Sequence, residues 1–496
     1  MLSERARARE AEKLAKKAMA RAEGARRFRG LRFWGRAMVI YFSYKKAQMY
    51  CALAVPLTAD EEEREALKRA TWDEVHALNS DRLLDLCLDL RGFYLKSGQF
   101  LGTRSDFMPP IYLEKLGRLH DAVPPMAPER VRAVVEGELH GPIEGHFTHL
   151  DLEEPLGSAS ISQVHKGVLI GSDEPVAVKV QYPGAERVMM SDLTNLSVLA
   201  SFLQKFELNF DVLSSLRELS RQIKHEFDFT YEARVMDRMR LSLQNHVREG
   251  ELITVPSSIM ATKRLLVMSF VEGQSLASIK RGEHERFSSL RRRIGARLLQ
   301  TLADAWGYMI FGEGLFNADL HPGNIVIMPE GRAWGLTGLV LGLLGLNTPK
   351  LRVGLLDWGQ VKELDVDSRT RFARLVIAIS DGKGREEIVE AFKGLGIVLE
   401  NPDDSDSIEK LALVMFDTKP IAGLNFNPFS EGNVLKLNSV KQYPQDLYFV
   451  LRAALMFRGM AQSLKVEFSL ADIWEPHAVK HLKDYKKHRL SAAATL

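Results

Sequence analysis

The residues of this sequence with the most chemistry in them are an aspartate, an asparagine five positions later, and a second aspartate heading a D-aromatic-G turn. They are Asp319 and Asn324, within Phe316-Asn317-Ala318-Asp319-Leu320-His321-Pro322-Gly323-Asn324-Ile325, and Asp357 of Asp357-Trp358-Gly359. Such a set suits phosphoryl transfer, which asks little covalent chemistry of a protein. It needs a carboxylate near the attacking hydroxyl or water, and hard oxygen ligands for the magnesium that bridges the phosphates. Asp319 suits the first task, and Asn324 with Asp357 suits the second. Each fragment alone recurs by chance. Their order carries the weight, with β-like apolar segments at Ile325-Val326-Ile327 and Val353-Gly354-Leu355-Leu356 beside them.

A metal site of this kind requires a phosphate-binding lysine upstream on a strand. Val176-Ala177-Val178-Lys179-Val180 is a short β-branched run with period-two character. It matches the kinase V-A-I-K strand, whose lysine contacts phosphates and pairs with a helix glutamate. The glycine loop that should precede it is missing. In its place stands Pro155-Leu156-Gly157-Ser158-Ala159-Ser160-Ile161-Ser162-Gln163-Val164-His165. Methyl groups restrict φ, so this loop is expected to be stiffer than a glycine loop and to hold nucleotide differently.

With these motifs the chain resembles the ABC1 (UbiB or ADCK) atypical kinase-like family, from about Asp85 to about Leu364. The motifs are Lys96-Ser97-Gly98-Gln99 (K-x-G-Q), the Ala/Ser loop, Glu226-Phe227-Asp228 (E-x-D) with Glu232 downstream, and the Asp319 and Asp357 segments. Ordinary kinases carry neither K-x-G-Q nor E-x-D. The resemblance implies a two-lobed α+β kinase-like fold with a helical N-terminal extension. It implies an ATPase or kinase using ATP and Mg2+, with Lys179 and the Ala159-Ser160 loop on the nucleotide and Glu272 in the hinge segment Phe270-Val271-Glu272-Gly273. Either Glu226 or Glu232 would pair with Lys179; read as one helix, both remain open. Lys96 and Gln99 would face the Glu226 and Asp228 carboxylates and favour hydrolysis, or a small or lipid-associated substrate, over protein phosphorylation. The family's setting implies ubiquinone or other prenylquinone metabolism in mitochondria, plastids or bacteria. Asn317, Leu320 and Trp358 depart from common family letters without removing a predicted ligand.

Composition agrees with this class. The 496 residues include 46% hydrophobic and 26% charged side chains, enough for a bilobal domain with helical extensions. A net charge of +3 gives no global pull toward nucleic acid. Two cysteines, Cys51 and Cys87, are too few for a disulfide scaffold and fit an intracellular setting. The first fifty residues are rich in Arg and Lys, but Glu4, Glu10, Glu12 and Glu23 speak against a targeting peptide. A helix is expected to about Ala22, with Gly24 and Gly30 punctuating the rest of the basic stretch. Phe33-Trp34 and Met38 to Phe42, beside Arg32 and Arg36, read equally as a peripheral membrane contact or as a packed aromatic helix.

The expected organisation is a basic leader (1–57), a helical extension (58–146), an N-lobe (147–272) and a C-lobe (273–496). Leu252 to Val255 and Leu265 to Phe270 read as the last N-lobe strands. An apolar, glycine-punctuated insertion near 331–350 falls short of the roughly 20 residues a membrane span needs. It reads as a buried loop, or as a membrane- or partner-binding element. Two other functions compete. A small-molecule phosphotransferase of the aminoglycoside or choline kinase sort matches the Asp319 and Asp357 letters but not K-x-G-Q or E-x-D. A non-catalytic nucleotide-dependent scaffold is disfavoured by the intact Lys179, Asp319, Asn324 and Asp357.

Overall fold

The computed structural model describes residues 2–53, 60–102, 108–120, 125–207, 224–246, 253–276, 288–328, 352–382, 384–419 and 440–494, with 213, 216, 220 and 438 singly. The insertion near 331–350 lies outside the described residues. The chain divides into two compact units. One holds residues 1–124, 158–161 and 182–208; the other holds 125–157, 162–181 and 209–496.

The first unit is helical: α1 (Leu2–Leu53), α2 (Glu61–Leu90), α3 (Phe93–Leu101), α4 (Pro110–Leu116) and, from later in the chain, α6 (Ala185–Phe206). α1 does not stop near Ala22. It runs through Gly24 and Gly30, because an isolated helical glycine costs only about 1 kcal/mol and the surrounding Ala, Arg and Lys favour helix. α2 opens on acids, with Asp60 accepting from the Glu62 N–H as its cap. Phe33 stacks on Tyr94 at 4.7 Å and is buried with Leu86 and Leu90. Arg29 grips buried Asp192 at 2.7 and 2.8 Å, tying α1 to α6. Phe33 therefore packs inward, and the apolar side chains that α1 leaves exposed include Leu31, Val39 and Phe42. No helix among the described residues is long and apolar enough to cross a membrane.

Lys96, Gly98 and Gln99 lie on α3. Gln99 Nε2 donates to the Leu119 carbonyl at 2.9 Å. Gly98 is required by close approach: a Cβ there would meet Leu119 Cδ1 at 2.6 Å and Cys87 Sγ at 2.7 Å. Burial pushes the Cys87 thiol up to about 12, so that cysteine is a packing group. Gly98→Ala is expected to cost about 1–3 kcal/mol by overpacking, and Cys87→Ala to restore part of it. Urea unfolding of the single and double variants measures both.

The second unit begins with α5 (Pro128–Leu139). β1 (Phe147–Leu150), β2 (Gly157–Ser158), β3 (Ser162–Leu169) and β4 (Pro175–Gln181) come next, then α7 (Phe229–His246) and β5 (Ile253–Thr254), β6 (Ser258–Ala261) and β7 (Leu265–Ser269). Its main sheet has the antiparallel order β1-β3-β4-β7-β6. Alternation along β4 divides its side chains. Val176, Val178 and Val180 meet Val131, Val134 and Val135 of α5, spaced to share one helical face. Ala177 lies in the other core, with Phe229, Met236 and Met239 of α7. Lys179 shares the Ala177 face by the period of two. α5, expected in the helical extension, thus belongs to the sheet.

β8 (Gln274–Ser275), α8 (Ser288–Gly307), β9 (Leu315–Asn317), β10 (Ile325–Met328), β11 (Arg352–Leu355) and β12 (Val361–Glu363) carry the chain into the helical part. There α9 (Val366–Ser380), α10 (Arg385–Gly394), β13 (Val398–Leu399), α11 (Ser405–Phe416), β14 (Val440–Gln442), α12 (Gln445–Leu464) and α13 (Leu470–Ala494) close the core around Trp306, Phe372 and Trp474. β5 corrects the expectation for 252–255. It joins a second sheet of order β5-β11-β10-β8, running parallel to β11. Between α8 and β9 the chain makes a π-helical turn, Tyr308–Glu313, released at Gly314 with φ 71°. The result is a sheet-rich lobe leading into a helical one, with the antiparallel ribbons β10–β11 and β9–β12 beside the predicted catalytic segments.

Candidate active site

Lys179 is the centre of the site. Its Nζ stands 2.6 Å from Glu232 Oε1 and 2.9 Å from Asp357 Oδ1, with the Phe229 ring 5.3 Å away. The structure thus selects Glu232 as the lysine's partner. It also breaks the single helix that left Glu226 in contention: Lys224 to Glu226 are helical, Phe227–Asp228 is not, and α7 starts at Phe229. The break has a local cause. Asp228 caps α7, accepting from the Thr230 N–H at 3.0 Å and the Thr230 hydroxyl at 2.6 Å. Gln181 Nε2 donates to the Phe227 carbonyl at 3.2 Å, fixing the break against β4. Glu226 is buried just ahead of it.

One ammonium shared by two carboxylates leaves one negative charge uncompensated. Burial pushes Glu232 up from the ordinary carboxylate range; Lys179 opposes this and Asp357 reinforces it. Asp357 goes the other way. Burial raises it, but Lys179 and hydrogen bonds, including that from the Gly359 N–H at 3.0 Å, outweigh burial and hold it low. Burial also weakens the Lys179 ammonium, and the two carboxylates more than restore it. Trp358 is fully buried, donating its indole N–H to the Leu355 carbonyl at 3.2 Å and its backbone N–H to Glu232 at 3.4 Å. The buried ring anchors the turn to β11, and the Trp358 backbone N–H ties it to Glu232.

Asp319 and Asn324 are brought beside this turn by backbone bonds. The Leu356 N–H donates to the Asn324 carbonyl at 3.0 Å, and the Ala318 N–H to the Gln360 carbonyl at 2.9 Å. Asn317 stitches the two loops: its Nδ2 donates to the Asp357 carbonyl at 2.7 Å, and its Oδ1 accepts the Asp319 N–H at 2.8 Å. Asn324 Nδ2 is 3.5 Å from Asp319 Oδ2. His321 Nδ1 accepts the Gly323 N–H at 3.1 Å, capping the turn that carries Asn324. The other Asp319 oxygen, Oδ1, takes a 2.7 Å ion pair from Arg452 on α12. Arg452 was missed in the sequence. Its signal was a lone cation inside the apolar stretch Leu447 to Met456, where a buried arginine demands a partner.

Glu272 is exposed in the segment between β7 and β8. Its neighbour Gly273 is sterically fixed, since a Cβ there would lie 2.4 Å from Val326 Cγ1 and 2.5 Å from the Ile327 carbonyl oxygen. Ser162 starts β3, while Ala159 and Ser160 cluster with the first unit, as do Lys96 and Gln99. Beyond the loop, Gln163 and His165 are buried: Gln163 Oε1 accepts the Met126 N–H at 2.6 Å, and its Nε2 lies 2.8 Å from His165 Nε2.

The donor set fits a magnesium nucleotide. The Asp357 carboxylate and the Asn324 amide oxygen on the neighbouring loop are two hard donors. A dication held by so few protein ligands takes its remaining ones from phosphates and water. Among the described residues no group of three or more His, Cys, Asp or Glu side chains is placed to hold a metal alone.

A family model for the ABC1 atypical kinase-like domain matches residues 118–391, more than half of the chain. The protein belongs to the ABC1 atypical kinase-like family. An uncharacterised Synechocystis protein is 25% identical over 468 residues, covering 91% of this chain and 72% of that protein. The chloroplastic protein ACTIVITY OF BC1 COMPLEX KINASE 8 of Arabidopsis thaliana is 27% identical over 461 residues, and the chain spans 56% of its length. AarF domain-containing protein kinase 1 of Xenopus tropicalis is 31% identical over 272 residues, 54% of this chain and 49% of that one. Among solved structures, Rv3197 of Mycobacterium tuberculosis, determined with erythromycin, aligns over 82% of this chain and 97% of its own. The TM-score is 0.51 at 20% identity, a likeness of fold.

Proposed function

We propose that this protein is a magnesium-dependent ATPase or atypical kinase whose acceptor belongs to prenylquinone or lipid metabolism. The observation that carries the nucleotide reading is Lys179 bridging Glu232 and Asp357 with Asn324 and Asp319 on the adjoining loop. Lys179 holds the nucleotide phosphates, and the Glu272 segment and the Ala159-Ser160 loop contribute to nucleotide binding. Asn324 and Asp357 hold magnesium, which when bound neutralises phosphate charge. Asp319 orients the attacking hydroxyl or water and accepts its proton. Lys96, Gln99, Glu226 and Asp228 restrict the acceptor to small or lipid-borne molecules. Family membership supports the quinone or lipid assignment, and the chloroplastic Arabidopsis relatives support a plastid setting.

The test is magnesium-dependent ATP hydrolysis by the purified protein, with and without anionic-lipid vesicles. Asp319→Asn is expected to lower kcat by about 10²–10⁴-fold while nucleotide still binds. Asp357→Asn is expected to weaken magnesium-dependent ATP binding; unchanged affinity in that variant would sink the metal assignment. ATP binding with no turnover in any condition would move the reading to a nucleotide-dependent scaffold.

A further inference from the structure

Arg452 reaches the site from the C-terminal helices, and its geometry is specific. One arm of the guanidinium, Nη2, lies 2.7 Å from Asp319 Oδ1, and the other, Nη1, donates to Gln360 Oε1 at 3.4 Å. Gln360 is not an arbitrary partner. It sits directly after the Asp357-Trp358-Gly359 turn, and its carbonyl accepts the Ala318 N–H next to Asp319. Arg452 therefore spans both strands of the β9–β12 ribbon where they leave for the two functional loops. α12 in turn packs on α8 and α11 through Ala453, Ala454 and Phe457, so the guanidinium is carried on a rigid element.

Asp319 presents two oxygens with different surroundings. Oδ1 is held by Arg452, and Oδ2 faces Asn324. A carboxylate with one oxygen pinned by a charge-assisted bond has a single rotamer and offers the other oxygen in a fixed direction. We infer that Arg452 is the positioning residue of the catalytic aspartate: its fork clamps Asp319 Oδ1 and Gln360 together, aims Oδ2 at the acceptor, and so sets kcat without touching nucleotide. Lysine cannot reproduce this, because a point charge lacks the planar fork that reaches both partners. The inference rests on the assignment of Asp319 as the catalytic carboxylate.

The experiment is steady-state ATP hydrolysis by the full chain with magnesium, for wild type, Asp319→Asn, Arg452→Ala, Arg452→Lys and the Asp319→Asn/Arg452→Ala double variant. Circular dichroism and thermal melts check folding. A misaimed catalytic group costs on the order of 10²-fold, so Arg452→Ala should lose ~10–100-fold in kcat. KM for ATP should stay within about twofold, because the clamp leaves nucleotide groups alone. Guanidinium chloride at tens of millimolar should restore part of the Arg452→Ala rate and none of the Asp319→Asn rate. The double variant should be no slower than Asp319→Asn alone, since the arginine acts through the aspartate.

Should Arg452→Ala fail to fold, Arg452→Lys replaces it, with a lowered kcat and unchanged KM expected. A folded Arg452 variant with wild-type kcat beside a dead Asp319→Asn would overturn the clamp and leave the catalytic assignment standing. A raised KM for ATP with unchanged kcat would likewise overturn it. If Asp319→Asn itself hydrolysed ATP at the wild-type rate, the catalytic assignment would fall and the inference with it.

Discussion

Lys179→Met is expected to lose ATP binding and to cost the nucleotide-free protein about 3–5 kcal/mol of stability. Removing the cation of a buried pair leaves its partner desolvated without compensation, here Glu232, while Asp357 keeps partial access to water. Here the cost is sharpened by stoichiometry: Glu232 and Asp357 share that single ammonium at 2.6 and 2.9 Å, and Glu232 is almost wholly buried. Without the lysine two carboxylates would face each other. Glu232→Gln in the same chain should recover much of the stability, because the amide removes the orphaned charge, but none of the nucleotide binding. Chemical denaturation in EDTA with matched ATP-binding titrations separates the two effects. Equal stability of Lys179→Met and wild type would mean the pair is wetter than its burial indicates.

The second large effect is expected at a position that carries no chemistry. Gly273→Ala would put a methyl group 2.4 Å from Val326 Cγ1 and 2.5 Å from the Ile327 carbonyl oxygen. The valine can turn; the carbonyl cannot, because β10 is paired on both sides, with β11 and β8. β10 must move bodily, and its first residue, Ile325, is bonded directly to Asn324. The expected cost is about 1–3 kcal/mol of stability. Weaker magnesium-dependent nucleotide binding should accompany it, although residue 273 need touch neither. Thermal unfolding and ATP titration at several magnesium concentrations measure this. A loss of stability with unaltered magnesium dependence would separate β10 from the Asn324 site.

The parts of the site legible in the sequence were those set by local pattern. The alternation of Val176 to Val180 put Lys179 on the face opposite the valines, and the structure places it there because that face meets α7. The D-x-x-x-x-N spacing and the D-W-G turn were equally local. What the letters could not carry was tertiary. Glu226 and Glu232 looked equivalent until Asp228, read as a carboxylate of a motif, proved to cap a new helix and divide them. Ile253 and Thr254 were visible as strand but read into the N-lobe sheet, since a two-residue strand contains nothing that names its neighbour. α5 read as one more helix of the extension, although its Val131, Val134 and Val135 stripe needed an apolar partner that only the sheet supplies. Arg452 lies 133 residues from the aspartate it holds, beyond any spacing rule.

Those separations decide when the site can exist. Lys179 is 53 residues from Glu232 and 178 from Asp357, and Asp319 is 133 from Arg452. At ~5–20 residues per second, a ribosome needs roughly 9–36 s to deliver Asp357 after Lys179. Throughout that interval the β4 lysine has at most Glu232 to neutralise it. Asp319, made before Asp357, waits 133 residues more for Arg452. A nascent chain of this protein therefore passes through a long period with its sheet made and its chemistry absent. Any chain released before α12 carries Lys179, Glu232, Asp319 and Asp357 but not the arginine that pairs with Asp319.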